Sequence, residues 1–538
     1  MAANRGLTFA GLVVALVAVV VIAAILFRPS AAPSATPTTI AGVPSGTLGA
    51  SRSAPHATGQ VATPTTPAAT ETPAATPTPV PPSAVEMPFV PVVDFWSTET
   101  SISMDDLRAA ASGGSASYAR VVVSAQDADA LEVLLGTRGL DAGTVADVEA
   151  AVKEGDLGLL RATDVSPRVH ALAIDGLSLF GNDRVDDIAA WPLRAAVKSG
   201  QPWDQSATWT LVAGGDIMLD RGVAKVVRID GLGGDYLFDG GTGRVTGIRC
   251  CSDNGYEYPT TERTGNRGLV RELFSNADLA IANLESAVLV DAPYHPYGFT
   301  FTADAALLDS VDAAGFDYLS LANNHIRNAG ERGILTAAEE LDKRGIAHSG
   351  AGSVEDAGKP GYVEAGGLRV AIIGCDAIRP DWLAETGRVG TFNCKKSDVA
   401  GRIREVRPTA DLVIVFPHWG LEYRQILLDH QPVLAAEWIA AGADMVIGTH
   451  THVAGAIVEI DGKVVFYALG NLIFDMDFRQ STMMGVVPEM TFSGHELVQI
   501  KLYATLIIDA QPNLVSPEDG GQFVFDQMRE SSEGLLGY

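Results

Sequence analysis

The hydrophobic pattern divides the chain before any motif is considered. Leu7 to Phe27 is an apolar stretch between Arg5 and Arg28, long enough as a helix to cross a bilayer. It reads as an uncleaved signal anchor over residues 7–27, with a cleaved signal peptide as the competing reading. Arg5 on the inner side would leave everything after Arg28 outside the cytoplasm. Residues 28–88 are almost entirely Ala, Pro, Thr, Ser and Gly, a composition that cannot bury a core, and read as a disordered spacer. Short apolar runs at Phe89–Val93, Ala119–Val123 and His170–Ile174, with helical spacing over Asp127–Leu135 and Val145–Val152, predict a small α/β domain over 89–203. Its one histidine, His170, reads as a core or surface residue.

From 206 to 510 the period alternates between strand and helix. Strands are expected at Trp209–Ala213, Leu279–Ala282, Tyr318–Leu321, Leu368–Ile373, Leu412–Phe416 and Met445–Ile447. Helical spacing covers Ala303–Ala314, Glu331–Lys343 and Pro432–Ala441. Ala456–Ile460 and Val464–Ala468, joined around Asp461-Gly462, read as a hairpin, and Glu496–Ile508 as a further strand. Alternating strands and helices argue α/β layers, and the terminal hairpin argues that the sheets are mixed. The expected fold is two mixed sheets flanked by helices. Residues 230–266, rich in Gly, are expected to be an irregular surface excursion over the site, and 511–538 a polar tail.

Composition narrows the partners. Over 538 residues the formal net charge is -27, which argues against nucleic acid, since no cationic excess exists to release counterions from phosphates. The four cysteines are Cys250, Cys251, Cys375 and Cys394. Outside the cytoplasm they can form disulfides. Cys375–Cys394 is the expected pair, and adjacent Cys250 and Cys251 are not expected to bridge each other.

The candidate chemistry lies where strands stop. Gly448-Thr449-His450-Thr451-His452 follows an apolar run and offers two imidazoles one residue apart, a ligand pair for a metal, although alternate side chains at any strand end share a face. Gly214-Gly215-Asp216 places a carboxylate on a Gly-rich turn, where capping the next helix is the plainer use of Asp. Asn283-Leu284-Glu285, Asn323-Asn324-His325, Pro417-His418-Trp419 and Leu469-Gly470-Asn471 end four more strands in polar clusters. Open α/β sheets place their sites at these C-terminal ends. Carboxylate, amide and imidazole together suit a divalent pair such as Mn, Fe or Zn better than Ca or a thiolate site.

The ordered blocks GDIML, ANLES, GFDYLSLANNH, HWGLEY, GADMVIGTHTHV and YALGNLIFD, from about Thr208 to Asp475, resemble the CapA family. That family is associated with poly-γ-glutamate capsule synthesis and is itself similar to calcineurin-like metallophosphoesterases. The resemblance implies a metallophosphoesterase-like layered fold with a dinuclear site. Carried over by motif, Asp216 and His452 would hold the first metal, Glu285 would bridge, and Asn324, His418 and His450 would hold the second. His325 is left as the general acid for the leaving oxygen. Four differences stand out. Met218 stands where phosphoesterases usually have a His, a difference shared with CapA proteins; Glu285 replaces the usual bridging Asp; Asn328 stands where an Asp often lies three residues after the catalytic His; and GTHTH replaces the more typical GHHPH. The implied protein is an extracytoplasmic metal-dependent hydrolase acting on a phosphoester or a cell-envelope polymer. The alternative is a non-catalytic accessory of polymer synthesis and export, working with other capsule-synthesis membrane proteins.

Overall fold

The computed structural model describes residues 84–115 and 117–532. The expected anchor at 7–27 lies outside the described residues, as does nearly all of the 28–88 spacer. Among the described residues no helix is long and apolar enough to cross a membrane. The first strand, Val85–Asp94, starts four residues before the expected 89.

Two mixed sheets face each other in the C-terminal part. The larger has ten strands, with Thr208–Ile217, Leu279–Leu284, Tyr318–Ser320 and Ala347–Ser349 side by side and parallel. The long antiparallel strands Met484–Ser493 and Glu496–Ile508 continue the sheet beyond Thr208–Ile217. The smaller has six strands, of which Leu368–Asp376, Leu412–His418, Met445–Ile447 and Lys463–Phe466 are parallel neighbours. Thr208–Ile217 is buried at every position because both of its faces are covered. Leu211 and Ala213 meet Val370, Ile414 and Phe416 of the other sheet, while Val212 and Ile217 pack on the outer helical side.

Helices close both outer faces, as the sequence pattern anticipates. Gly330–Arg344 buries Ile334, Ala337 and Leu341 at helical spacing and stops at Gly345, whose φ is 73°. Val399–Val406 and His430–Ala441 cover the smaller sheet through Ile403, Ala435 and Trp438. Residues 85–197 form a separate six-stranded sheet with its own apolar cluster, which reaches Val498 of the Glu496–Ile508 strand. An Arg168–Glu459 ion pair also joins this part to the larger one.

Three expectations are corrected. In the stretch expected as a polar tail, the described residues 511–532 are not one: Gln511–Leu514 adds a strand, and the helix Gln522–Ser532 buries Val524 and Met528, spaced one helical turn apart. The 230–266 excursion contains an antiparallel hairpin of Thr242–Arg249 and Tyr258–Gly265, whose mostly exposed strands carry little apolar alternation. Cys375 pairs with Cys394 as expected, but Cys250 and Cys251 are paired too, across a cis peptide that brings their Cα atoms to 3.0 Å.

Candidate metal centre

Asp216 is not on a turn. It lies inside the Thr208–Ile217 strand, opposite Asn283 of the neighbouring strand, and the next helix is capped by Asp220. The glycine before it answers to crowding: a Cβ on Gly215 would sit 1.9 Å from the Gly470 carbonyl oxygen, the same oxygen that accepts from Asp216 N at 3.0 Å. That close approach puts Asn471 beside Asp216.

His450 and His452 are also not alternate residues of a strand, which ends at Ile447. Both have left-handed backbones, with φ of 95° and 57°, a conformation that bulky side chains adopt only when their surroundings enforce it. Here the fold does so by fixing both neighbours of the turn. His450 N donates to Asp216 Oδ2 at 3.1 Å, and a Cβ on Gly448 would stand 2.3 Å from the Tyr467 carbonyl oxygen. Both rings are thereby buried in one cluster.

The donor atoms converge in two groups that share Glu285. One contains Glu285, His418 and His450; the other contains Asp216, Glu285 and His452. Asn324 joins the first group, its Oδ1 2.8 Å from His418 Nε2, which is itself 3.0 Å from His450 Nδ1. His418 Nδ1 faces Thr449 Oγ1 at 2.9 Å, and His452 Nδ1 faces Asn471 Oδ1 at 2.9 Å. Both rings therefore turn Nε2 inward, to 3.9 and 3.8 Å from Glu285 Oε1. This is the arrangement by which neighbours fix the tautomer of a ligating imidazole.

Burial dominates the electrostatics. Asp216 is pushed up to about 7 by desolvation, against the hydrogen bonds from Asn283 and His450 that favour its charge. Desolvation and then the Asp216 charge raise Glu285 well above the usual carboxylate range. Desolvation also lowers the imidazoles: His418 and His450 fall well below the ordinary value, and His452 to about 3. They are held neutral, the form that ligates. Both Glu285 carboxylate oxygens are buried without a hydrogen-bond partner. An unsatisfied buried carboxylate ringed by neutral imidazoles, an amide oxygen and a second carboxylate fits a borderline divalent cation.

His325 lies at the edge of the cluster, with Nε2 3.7 Å from Glu285 Oε1. Its Nδ1 meets Asn328 Oδ1 at 2.8 Å, an oxygen that already accepts from Phe301 N. The ring therefore carries its proton on Nδ1, and burial holds it at about 4. It also stacks on Phe301, with ring centroids 4.0 Å apart. Met218 is buried, belongs to neither donor group, and its sulfur accepts from Asp220 N at 3.0 Å.

Sequence reasoning named the groups that meet but missed those that hold them. Asn283 donates to Asp216 Oδ1 at 2.8 Å, and Asn323 donates to Asn283 Oδ1 and to the Leu284 carbonyl. Both stand inside motif blocks already singled out, so their position was visible and their role was not. Arg221 had no signal. It pairs with Asp475, its guanidinium lies 4.6 Å from the Phe301 ring, and its charge bears on Glu285, His325 and His452.

Comparison with known proteins follows the same blocks. The chain is 26% identical over 303 residues to the capsule biosynthesis protein CapA of Bacillus anthracis, covering 54% of this chain and 66% of that protein. It is 29% identical over 234 residues to the PGA biosynthesis protein CapA of Bacillus subtilis, covering 42% and 62%. The match thus spans just under two thirds of the length of these relatives. A solved 5'-nucleotidase precursor from Thermus thermophilus is 14% identical, covers 61% of this chain and 58% of its own, and has a TM-score of 0.31, a likeness too remote to carry a functional reading. Residues 210–476, which contain every candidate ligand, match the bacterial capsule synthesis protein PGA_cap family and make this region of the chain a member of it.

Proposed function

We propose that the chain is a membrane-anchored, extracytoplasmic protein of capsule or poly-γ-glutamate synthesis whose CapA-like region is a metal-dependent hydrolase. The observation that carries this reading is the pair of donor groups meeting at Glu285, whose two oxygens have no other partner. The names of the relatives, capsule and PGA biosynthesis proteins, support the process. The residues divide the work. Asp216 and His452 hold one side of the centre, Asn324, His418 and His450 the other, and Glu285 lies between. Two divalent cations there, Mn, Fe or Zn, would activate water and stabilise the oxygens of a displacement. His325, fixed by Asn328 and Phe301, directs Nε2 at the cluster; because its resting proton sits on Nδ1, Nε2 would first take a proton from the attacking water and then pass it to the departing oxygen.

Met218 favours a second reading. Its sulfur is occupied by Asp220 N, so the Asp216 side has one donor fewer than the other. A protein that fills only the His418–His450 side would serve as a binding accessory in a synthesis and export complex with other membrane proteins. The full chain, purified in detergent and loaded with Mn, separates the two. The hydrolase takes up two metals per chain and cleaves bis-p-nitrophenyl phosphate or poly-γ-glutamate in a Mn-dependent manner, and both His325→Ala and His450→Ala lose turnover. Absence of metal uptake, or turnover unchanged in both variants, sinks the hydrolase. One metal, no turnover and co-purification with envelope-synthesis proteins select the accessory.

A further inference from the structure

An aromatic wall runs outward from the candidate centre. The Tyr423 ring lies 5.9 Å from that of His452, Phe478 lies 5.6 Å from Tyr423, and Tyr256, on the connection of the 242–265 hairpin, lies 5.9 Å from Phe478. Facing this wall across a cleft of about 600 Å³ is the 290–300 loop, with Tyr297 and Phe299 at 86% and 81% exposure. These are the two most exposed aromatic side chains among the described residues. The loop is held by its backbone rather than by its rings: Arg221 donates to the Gly298 carbonyl at 3.0 Å and Asn328 Oδ1 accepts from Phe301 N at 2.8 Å. Anchored backbone with rings turned to solvent marks a contact surface, since isolated exposed aromatics gain nothing from being fixed.

The charges in the cleft narrow what can lie in it. Among the described residues its lining carries one cation, Arg221, already paired with Asp475, while Arg479 lies over the Tyr256 ring at 5.4 Å and donates to the Tyr423 carbonyl at 3.4 Å. A polyglutamate chain bears a carboxylate on every residue and would meet only these two guanidinium groups, against a protein whose net charge is -27. A sugar ring suits the surface. Its polarised C–H face stacks on the negative face of an aromatic ring without requiring charge, and successive rings along the wall accommodate successive sugars. We infer that the cleft binds a glycan chain of the cell envelope and presents an ester or phosphoester on it to the Glu285 centre. This assignment rests on the hydrolase reading for the reaction but not for the binding.

The full chain, in detergent and with Mn, is applied to an array of bacterial glycans alongside immobilised poly-γ-glutamate. Binding to at least one glycan is expected, together with a loss of about tenfold or more in Tyr297→Ala/Phe299→Ala, from two ring contacts. Mn uptake and the unfolding transition of that variant remain those of the wild type, because both rings are exposed. Retention of poly-γ-glutamate in place of glycans overturns the proposal. So does the absence of any bound glycan, or glycan binding indifferent to the two substitutions. Mn uptake and hydrolysis of bis-p-nitrophenyl phosphate, measured on the same sample, report separately on the hydrolase. Glycan binding without turnover retires that reading alone, and turnover without glycan binding retires this one alone.

Discussion

Replacing Glu285 with Gln should reverse the order of stabilities on addition of metal. In the absence of metal, Glu285 is fully buried, both its oxygens lack a hydrogen-bond partner, and it stands near Asp216, whose charge opposes its own. A Gln amide keeps the shape and removes the charge, and an N–H of it can reach the inward Nε2 of His452, which lies 3.8 Å from Glu285 Oε1 and is free to accept because His452 Nδ1 donates to Asn471 Oδ1. Relieving an unsatisfied buried polar group is worth about 1–3 kcal/mol. For a body of this size that is a rise of roughly 1–3 °C in melting temperature, at about 1 °C per kcal/mol. The gain grows with pH, because a carboxyl whose folded pKa is raised stabilises the fold only while protonated and loses that contribution as pH rises.

Metal inverts the comparison. Free Mn at 100 times its dissociation constant stabilises the wild type by about 2.7 kcal/mol for each site filled. Glu285 belongs to both donor groups, so one substitution weakens both. Thermal unfolding at pH 8 in EDTA should therefore place Glu285→Gln above the wild type, and in excess Mn below it. A variant less stable than the wild type in EDTA refutes the account of Glu285 as a residue kept for its ligand chemistry against its cost to the fold. An equal Mn-induced rise in both proteins refutes the shared position.

Three further perturbations test the scaffold. Asn471→Ala frees His452 Nδ1 from its 2.9 Å partner, and affinity for the metal on the Asp216 side should fall by about 10–100-fold while the other metal is retained, as read by Mn titration. Gly215→Ala forces a methyl against the Gly470 carbonyl; the loss should be about 1–3 kcal/mol or more in urea unfolding, with weakened metal uptake because the strand bearing Asn471 must move. His170 is buried and pushed down to about 4, chiefly by desolvation and then by the Lys501 charge. A depressed folded value means its contribution is whole above about pH 6.5 and declines as pH falls toward 4. Between pH 7.5 and 4.5 the wild type should lose about 2–3 kcal/mol more than His170→Asn by urea midpoint, and equal losses would show that His170 does not carry this share of acid sensitivity.

How much the sequence disclosed follows from what each residue does. Periodicity recovered the two sheets and their covering helices because those elements bury one face or both, as Ile334, Ala337 and Leu341 do. It passed over the 242–265 hairpin, which has little buried face to display, and read the Gln522–Ser532 helix as a tail although Phe523-Val524-Phe525 and Met528 supply an apolar face, because that signal spans barely two turns at the end of a polar stretch. At the site, Asp216, Glu285, Asn324, His418, His450 and His452 were legible as residue types at strand ends. Their backbone geometry was not: Asp216 belongs to a strand that Gly214-Gly215 seemed to end, and the two histidines enter through left-handed turns rather than strand alternation. The cause is the same in both places. Gly215 and Gly448 are selected by close approach of a distant carbonyl, at 1.9 and 2.3 Å from a hypothetical Cβ, and a contact between residues far apart in the chain leaves no local period. The same holds for Asn283, whose amide holds Asp216 across strands, and for Asn323, whose amide holds that of Asn283. A strand-end motif therefore tells which atoms can bind, while the tertiary contacts of its glycines and asparagines decide where those atoms point. For this centre the second kind of residue is the more informative target, since altering Asn471 or Gly215 changes the geometry and leaves every proposed ligand in the chain.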